Sequence, residues 1–316
     1  MKTETRKTLI ERNTSEIVTS AELDDLLEDK KHPTTYCGYE VSGPVHIGTL
    51  VAAGKQLDFL KAGLKVKVLF ADLHTYLNRK GDEDFIEQQL KKWTSVFKKY
   101  GLVDVEYVRG TDFQYDKSYI HDVLSAGLNT SLLRARRSMA DIARDIENAK
   151  VSQMIYPLMQ AIDIKALDVD IAHGGMEQRK IHMLSRELLP GLGYKKPVCI
   201  HTPLLCSLTG PESKMSSSKP ETLIRVDDSE DKINAKIKTA YCPPQEEGNP
   251  VLQICRYLLY PRYDNLRIIR PAKYGGDISY SSYEQMVEDY LNKKLHPADL
   301  KKATAAKLAT LLEPFR

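Results

Sequence analysis

Residues 34–71 read TTYCGYEVSGPVHIGTLVAAGKQLDFLKAGLKVKVLFA, and this stretch decides the fold. Residues 34–39 are typical of a short β-strand, and a turn follows them. Residues 46–61 carry apolar side chains at helical spacing, which predicts a helix. Gly63 suits the end of that helix, and the mostly apolar residues 66–71 are typical of a strand covered on both faces. This order predicts two parallel strands joined by a right-handed helical crossover.

The same alternation continues along the chain. We predict further helices at 82–100 and 177–189, and further strands at 103–108, 168–172 and 198–201. The rest is predicted as a largely helical stretch at 117–165, a polar loop at 209–220 and helices with loops from 228 onward. The predicted fold class is α/β: a Rossmann-like parallel sheet with a helical insertion, followed by a mainly α-helical C-terminal domain. In such sheets, ligands bind at the carboxyl ends of the strands.

Composition sets wide limits on function. Of 316 residues, 42% are hydrophobic and 28% are charged, which argues against a mostly disordered chain, a collagen-like fibre and a disulfide-stapled mini-protein. The formal net charge of +3 neither demands nor excludes a polyanionic partner, because phosphate binding depends on local clusters of charge.

Cysteine usage and the N-terminus predict a cytoplasmic protein. The five cysteines are odd in number and form no C-x-x-C pair, which disfavours a disulfide framework and a zinc ribbon. Free thiols suit a reducing compartment. Residues 1–20 lack the apolar stretch of a signal peptide, and no window approaches the length of a membrane-spanning apolar run.

Two short motifs point to phosphate chemistry. His46-Ile-Gly-Thr49 follows the first predicted strand and opens a helix, whose N-terminal N–H groups suit an anionic phosphate. Lys214-Met-Ser-Ser-Ser218, followed by Lys219, places a cation and several hydroxyls in a loop after the last predicted strand. A cation there can stabilise charge on a transferring phosphoryl group. The chain has no G-x-G-x-x-G after the first strand and no Walker-type loop, which disfavours a dehydrogenase and an ordinary phosphate-loop NTPase.

Together the two motifs resemble the paired HIGH and KMSKS motifs of class I aminoacyl-tRNA synthetases. The resemblance covers essentially the whole chain and is closest to the compact archaeal-type tyrosyl-tRNA synthetases. It also includes Arg12-Asn-Thr-Ser-Glu-Ile17, Ala71-Asp-Leu-His74, Ile155-Tyr-Pro-Leu-Met-Gln160, Gly174-Gly-Met-Glu-Gln-Arg-Lys-Ile-His182 and Leu295-His-Pro-Ala-Asp299. Thr49 and Ser217 depart from the family motifs. Lys214 is then the principal cation of its loop, and whether Ser217 or Lys219 takes the place of the missing lysine stays open.

The resemblance implies an enzyme that activates L-tyrosine with ATP and transfers it to the 3′ end of its tRNA. It implies ATP with Mg²⁺ as the substrate complex, no structural metal, no membrane partner and a homodimer. The implied catalytic residues are His46, Gly48, Thr49, Lys214, Ser216, Ser217 and Ser218. The implied ATP-binding residues are Gly43, His46, Gly48, Gly174, Gly175, Met215 and Ser217. The implied domains are a catalytic domain at 1–208 with its insertion and dimer region at about 112–165, a loop and linker at 209–227, and an anticodon-binding domain at 228–316.

The implied tyrosine pocket can be checked against chemistry. By resemblance, Tyr36 and Asp163 contact the substrate phenol, while Tyr156, Gln160 and Gln178 hold its α-amino group. Asp163 can accept a hydrogen bond from the phenol and Tyr36 can donate to the same oxygen, so a substrate without the hydroxyl leaves both buried groups unpaired. Weaker candidates for the pocket are Glu40, His74 and Gln114.

Two basic or aromatic surfaces are implied to contact tRNA. The residues implied for the acceptor end are Arg134, Arg136, Arg137 and Arg179, and those for the anticodon are Tyr274, His296 and Asp299. Arginine suits phosphates and base edges, and aromatic stacking reads unpaired bases. Two alternatives remain: a tryptophanyl-tRNA synthetase of the same fold, and a non-catalytic RNA-binding paralogue.

Overall fold

The computed structural model describes residues 5–143, 145–215 and 219–316, without the side chains of Ser213 and Lys214. The chain divides into two compact units. The first unit comprises Met1–Gly43 and Lys55–Pro203, and the second comprises Pro44–Gly54 and Leu204–Arg316.

The bounds of the elements follow in chain order. The helices are α1 (Arg6–Glu11), α2 (Ser20–Asp29), α3 (Ile47–Lys61), α4 (Asp72–Leu77), α5 (Glu83–Tyr100), α6 (Lys117–Leu128), α7 (Leu132–Ser138), α8 (Val151–Ala166), α9 (Arg179–Leu188), α10 (Glu230–Thr239), α11 (Pro250–Ile254), α12 (Tyr283–Leu291) and α13 (Pro297–Leu312). The strands are β1 (Glu16–Val18), β2 (Thr34–Tyr39), β3 (Lys65–Phe70), β4 (Glu106–Arg109), β5 (Ile171–Gly175), β6 (Val198–Thr202), β7 (Cys206–Ser207), β8 (Gly210–Lys214), β9 (Leu266–Ile268) and β10 (Ile278–Tyr280).

The first unit is built on a sheet that, among the described residues, has six strands in the order β1-β6-β5-β2-β3-β4. Strands β6, β5, β2, β3 and β4 run parallel, and β1 pairs antiparallel with β6. In the centre, Tyr36 of β2 lies between Lys67 of β3 and Ala172 of β5. The predicted fold class is therefore confirmed, and β1 is a strand that the sequence pattern did not predict.

Both faces of this sheet are covered, as the apolar strands predict. One face packs on α1, α2 and α3 through Ile10, Leu23, Phe59, Val66, Ile171 and Ile200. The other packs on α8 and the segment after α9 through Tyr36, Leu69, Ile164, Ala172, Leu189 and Cys199. The second cluster puts Tyr36 on the same face of the sheet as α8.

Local signals in the sequence explain several helix ends. Thr19 and Glu22 form a capping box that starts α2. At the start of α5, the side chain of Asp82 accepts a hydrogen bond from the Phe85 N–H. Gly63 follows α3 at a φ of +78°, which L side chains rarely adopt and which confirms its role as a helix stop.

Several predictions of local structure differ from the observed elements. The segment 209–220 was predicted as a loop, but β8 occupies its first part and pairs antiparallel with β7. The strand predicted at 168–172 begins only at Ile171, because Asp168 has a φ of +48° and cannot continue a strand. In the C-terminal part, β9 and β10 form an antiparallel pair among the predicted helices and loops.

No helix within the described residues is long and apolar enough to cross a membrane. All five cysteines lie in the described part of the chain, and each is a free thiol. No group of three His, Cys, Asp or Glu side chains within residues 5–143, 145–215 and 219–316 could hold a metal ion.

Candidate functional site

Asp163 is the centre of a buried polar cluster in the first unit. Its side chain, on α8, is 1% exposed, and Oδ1 accepts hydrogen bonds from Gln114 Nε2 and the Tyr119 hydroxyl, both at 2.8 Å. Burial raises the pKa of Asp163, while His74 and the two donors act in the opposite direction. Because Oδ2 is 3.7 Å from His74 Nε2, this oxygen remains able to accept another hydrogen bond.

The amide of Gln114 is positioned by a hydrogen bond to His74 and by close packing against Gly110. Its Nε2 also lies 3.2 Å from His74 Nδ1, which fits a neutral His74 with its proton on Nε2, facing Asp163. A Cβ atom on Gly110 would lie 2.4 Å from Gln114 Oε1 and 2.8 Å from Asp72 Oδ1, so only glycine fits beside this amide.

Tyr36 provides a second polar group on this face of the sheet. Its side chain is fully buried, and its hydroxyl makes no hydrogen bond of normal geometry among the described residues, with Gln160 as a polar neighbour. Burial raises the pKa of Tyr36, and the charge of Asp163 adds to the effect. An unpartnered buried hydroxyl is unfavourable, so it marks a place where a polar group of a ligand fits.

The other polar residues of α8 lie on one helical face with Asp163. Gln160 Nε2 donates to Gln178 Oε1 at 3.1 Å, and the ring of Tyr156 packs edge-on against His74, with ring centres 4.5 Å apart. Burial raises the pKa of Tyr156, and the neighbouring Glu40 raises it further.

The structure thus brings together the predicted pocket residues: Tyr36, Glu40, His74, Gln114, Tyr156, Gln160, Asp163 and Gln178. Tyr119, Asn78 and Lys80 were missed. Asn78 Nδ2 donates to Glu40 at 2.8 Å and Lys80 forms an ion pair with the same carboxylate. Tyr119 sits in helical periodicity like any core aromatic residue, so the sequence carried no signal of its bond to Asp163.

The His46 motif lies in the second unit and is held mainly by its backbone. The neighbouring N–H of Ile47 donates to Ile224 O at 3.0 Å, and Val226 N donates to Val45 O at 3.1 Å. His46 Nδ1 accepts from the Gly48 N–H at 3.1 Å, so the proton of the neutral ring is on Nε2.

Burial and close packing determine two further features of this turn. Burial lowers the pKa of His46 to about 4, which keeps the ring neutral at physiological pH. A Cβ atom on Gly48 would lie 2.9 Å from His46 Cε1, so glycine is required for the ring to reach this N–H. Thr49 N donates to His46 O at 2.9 Å, within the same turn.

The Lys214 loop is described in part. The backbone of Lys214 ends β8 and pairs with Cys206, and the buried Met215 donates from its N–H to Leu205 O at 3.3 Å. The side chain of Lys214 and the predicted residues Ser216, Ser217 and Ser218 lie outside the described part of the chain. Lys219 is exposed, just before a 3-10 turn at Pro220–Thr222.

Three predicted glycines lie in the first unit. Gly174 and Gly175 end β5, and a Cβ atom on Gly174 would lie 2.8 Å from Gln178 Cγ. On Gly175 it would lie 2.3 Å from Glu177 Oε2, at the end of a flexible side chain, so Gly174 has the stricter need for bare backbone. Gly43 O accepts from Trp93 Nε1 at 2.8 Å.

Comparison with known proteins places the chain among the synthetases. The family described as tRNA synthetases class I (W and Y) matches residues 28–313. The chain belongs to this family. The predicted enzyme class, an aminoacyl-tRNA ligase that uses ATP, is therefore confirmed.

Within this family, the chain is similar to several proteins that are named tyrosine–tRNA ligases. The chain is 48% identical to the tyrosine–tRNA ligase of Methanopyrus kandleri, over 100% of this chain and 98% of that one. It is 50% identical to that of Methanocaldococcus jannaschii, over 98% and 97%. The crystal structure of the Archaeoglobus fulgidus tyrosyl-tRNA synthetase complexed with L-tyrosine has a TM-score of 0.95 at 46% identity, over 98% of each chain. A tryptophanyl-tRNA synthetase from Aeropyrum pernix shares the fold, with a TM-score of 0.74 at 17% identity.

In this synthetase, the arginines predicted to contact tRNA differ in the partners that their guanidinium groups bind. Arg134 donates to Glu187 through Nε and Nη2 and to Ser138 through Nη1, and Arg136 forms an ion pair with Glu147. Arg137 is exposed on α7. Arg179, the first residue of α9, donates to the carboxylate of Glu16 through Nε alone.

The residues predicted to read the anticodon lie in the second unit of this synthetase. Tyr274 is 62% exposed, and Lys273 Nζ lies 4.9 Å from the centre of its ring. His296 caps α13, where its Nδ1 accepts from the Ala298 N–H at 3.1 Å, and Asp299 is in the first turn of that helix.

Exposed apolar side chains are frequent in the predicted dimer region of this synthetase. They are Ile120, Leu124, Leu128, Leu132, Leu133, Val151 and Ile155, and Leu128 is 87% exposed. We call these residues the leucine surface. So many exposed large apolar side chains along α6, α7 and the start of α8 are typical of a protein–protein contact.

Proposed function

We propose that this synthetase is a tyrosine–tRNA ligase. It joins L-tyrosine to ATP, giving tyrosyl-adenylate and pyrophosphate, and then transfers the tyrosyl group to the 3′ end of its tRNA. The observation that carries the proposal is the buried, unpartnered hydroxyl of Tyr36 beside Asp163. Relatives named tyrosine–tRNA ligase, 45–50% identical over nearly the whole chain, support it.

The phenol of tyrosine is the group that the pocket reads. Its hydroxyl donates to Asp163 Oδ2 and accepts from the hydroxyl of Tyr36. Both groups are desolvated in the free protein, so a substrate without the hydroxyl leaves Asp163 Oδ2 and the Tyr36 hydroxyl unpaired. Tyrosyl-tRNA synthetase is itself the known case of such discrimination, with about 10⁵-fold rejection of phenylalanine. At the other end, Tyr156, Gln160 and Gln178 hold the α-amino group.

The chemistry needs no covalent protein nucleophile. The tyrosine carboxylate attacks the α-phosphorus of ATP, and pyrophosphate leaves. His46 Nε2–H, Thr49 and Lys214 stabilise the phosphoryl charge, with Ser216, Ser217 and Ser218 as further donors and Mg²⁺ bound to ATP as part of the substrate. Gly48, Gly174 and Gly175 leave backbone bare for the nucleotide, with Gly43 and Met215 as further contacts.

The tRNA is bound at two surfaces. Arg134, Arg136, Arg137 and Arg179 contact the acceptor end, and Tyr274, His296 and Asp299 contact the anticodon. We assign residues 1–208 to catalysis, with the insertion and dimer region at about 112–165. We assign 209–227 to the loop that carries Lys214 and 228–316 to anticodon binding. Free cysteines support a cytoplasmic location.

The leucine surface supports a homodimer. Exposed apolar side chains in this number are costly in water, and a second copy of the chain covers them. Leu128→Asp should give a single-chain mass by sedimentation at micromolar concentration. Leu291→Asp, an exposed leucine of α12, is the control and should leave the dimer mass unchanged. A single-chain mass for the unchanged protein would overturn the proposal.

The alternative substrate, tryptophan, fits the pocket poorly. Its indole offers one donor and no acceptor, so the hydroxyl of Tyr36 would find no partner. A non-catalytic RNA-binding paralogue would not need His46, Gly48 and Lys214, all of which are present.

The test is tyrosine-dependent ATP–pyrophosphate exchange, with tryptophan and phenylalanine as competitors. Exchange with tyrosine alone is the expected result. Exchange with tryptophan would overturn the roles of Tyr36 and Asp163, and no exchange by folded protein with Mg²⁺ would favour the paralogue. Lys214→Ala should slow adenylate formation far more than it weakens tyrosine binding, and equal losses would contradict its role.

A further inference from the structure

A chain of polar side chains runs from the core of the first unit to Arg179. Glu16 of β1 lies directly opposite His201 of β6, and Glu16 Oε2 lies 3.0 Å from His201 Nδ1. His201 Nε2 lies 3.0 Å from Nδ1 of His182 on α9. Arg179 Nε donates to both oxygens of Glu16, at 3.0 and 2.8 Å. The function proposed above uses Arg179 but leaves the other three residues unexplained.

With both rings neutral, one arrangement of protons fits these hydrogen bonds. Because a carboxylate only accepts, His201 donates from Nδ1 to Glu16, and its Nε2 accepts from His182 Nδ1. His182 Nε2 is then a bare acceptor, which agrees with its lack of a partner among the described residues. Burial lowers the pKa of His182 and His201, which keeps both rings neutral, and Arg179 lowers the pKa of Glu16, which keeps it ionised.

Arg179 is held in an unusual way. Only its Nε is engaged, so the two terminal nitrogens have no hydrogen-bond partner in the described part of the chain. Arg186, on the same helix, uses its terminal nitrogens on Glu22 and on the carbonyl of Pro197. Arg134 uses its whole guanidinium on Glu187 and Ser138. Arg179 is thus fixed at one edge and open at the other.

We propose that Glu16 is a positioning residue, which His201 and His182 hold in place so that the terminal nitrogens of Arg179 face the acceptor end of tRNA. This inference rests on the proposed contact of Arg179 with tRNA. A guanidinium fixed in advance loses less side-chain entropy when it binds a phosphate or the edge of a guanine. The two terminal nitrogens of a guanidinium can donate in parallel to two neighbouring acceptor atoms. A phosphate offers two oxygens in this arrangement, and the edge of a guanine offers O6 and N7.

The test separates amino-acid activation from transfer to tRNA. Glu16→Ala should raise the KM for tRNA about tenfold, the size expected for a lost charge-assisted hydrogen bond. It should leave tyrosine-dependent ATP–pyrophosphate exchange unchanged, because that step uses no tRNA. Glu16→Gln keeps one oxygen that can accept from Arg179 Nε, so it should recover part of the loss.

A double-mutant cycle decides whether Glu16 acts through Arg179. If it does, Glu16→Ala combined with Arg179→Ala should raise the KM for tRNA no more than Arg179→Ala alone. Glu22→Ala is the matched control: it removes the carboxylate partner of Arg186 on the same helix and should leave the KM for tRNA unchanged.

Other outcomes overturn the inference in distinguishable ways. Additive effects of the two substitutions would show that Glu16 acts independently of Arg179. A parallel loss of exchange and transfer in Glu16→Ala would show a merely structural role. An unchanged KM for tRNA in Arg179→Ala would remove the contact on which the inference rests, while tyrosine-dependent exchange would still report on the proposed enzyme.

Discussion

The amino-acid pocket and the His46 turn are built in opposite ways. In the pocket, side chains fix one another: Asp163 is bonded by Gln114 and Tyr119 and faced by His74, all deep in the first unit. In the second unit, backbone bonds to Ile224 and from Val226 fix the turn, and Gly48 bonds the His46 ring. Selectivity for a hydroxyl needs buried, oriented partners, whereas phosphate contacts can come from N–H groups that any sequence provides.

The largest expected effect tests the pocket itself. In Asp163→Asn the new amide group meets the donors Gln114 and Tyr119 and cannot accept from all of its neighbours. We expect kcat/KM for tyrosine in ATP–pyrophosphate exchange to fall about 10³-fold, with loss of selectivity over phenylalanine. Asp25→Asn, an exposed carboxylate of α2, is the control. Unchanged selectivity would mean that Asp163 does not read the phenol.

A smaller loss of a different kind is expected in the His46 turn. His46→Ala removes a donor to the phosphoryl group, and removal of one such donor lowers kcat by about 10²-fold. The dissociation constant for tyrosine, measured by equilibrium dialysis without ATP, should not change, because the pocket keeps its own bonds. His32→Ala, an exposed histidine bonded to Gly63 O, is the control. If His46→Ala weakened tyrosine binding as much as it lowers kcat, the pocket and the His46 turn would not have separate roles.

Tyr119 tests whether support of Asp163 matters for selectivity. Tyr119→Phe removes the hydroxyl that donates to Asp163 and keeps the ring, so we expect the KM for tyrosine to rise about tenfold. Preference over phenylalanine should fall with it, as measured by competing exchange. Tyr107→Phe removes a hydroxyl bonded to Leu102 O, away from Asp163, and should change stability only. If both variants keep full selectivity, the support is not needed.

The smallest effect concerns stability. Burial lowers the pKa of His173 to about 3, and both of its ring nitrogens lack partners among the described residues. The unfolded chain therefore binds a proton below about pH 6.5 that the folded protein does not, so stability falls as pH falls toward 3. His173→Leu should reduce this fall, by up to about 1.4 kcal/mol per pH unit, in urea unfolding at pH 5 and 7. An unchanged pH slope would contradict the shifted pKa.

Hydrophobic periodicity and short motifs predicted most of the strands and helices around the central sheet. The strand at 34–39 and the helix at 46–61 agree with β2 and α3, because the turn after the strand and the helical spacing of the apolar residues are local signals. By contrast, β1 is three residues long and pairs with β6 from far along the chain, so no local pattern marks it. Strand β8 was missed for another reason: its sequence, Gly-Pro-Glu-Ser-Lys, is polar and has no apolar alternation.

Side-chain partnerships were less predictable than positions. Tyr36 and Asp163 could be named from the family resemblance, but the donors that support Asp163 come from other elements. Tyr119 is 44 residues from Asp163 along the chain, and no spacing rule connects them. Glu16 lies in the motif at 12–17 and His201 ends the strand predicted at 198–201, yet their bond depends on the register of β1 against β6.

The position of β1 also sets the order in which the sheet can be completed. Glu16 and His201 are 185 residues apart. Strand β1 is synthesised first, but its partner β6 is synthesised only when about two thirds of the chain is complete. Until then, the edge of β6 that β1 covers does not exist, and the N-terminal segment has no strand to pair with. A nascent chain that stops before residue 201 can hold β2, β3 and β4 together, but it has no His201 to orient Glu16.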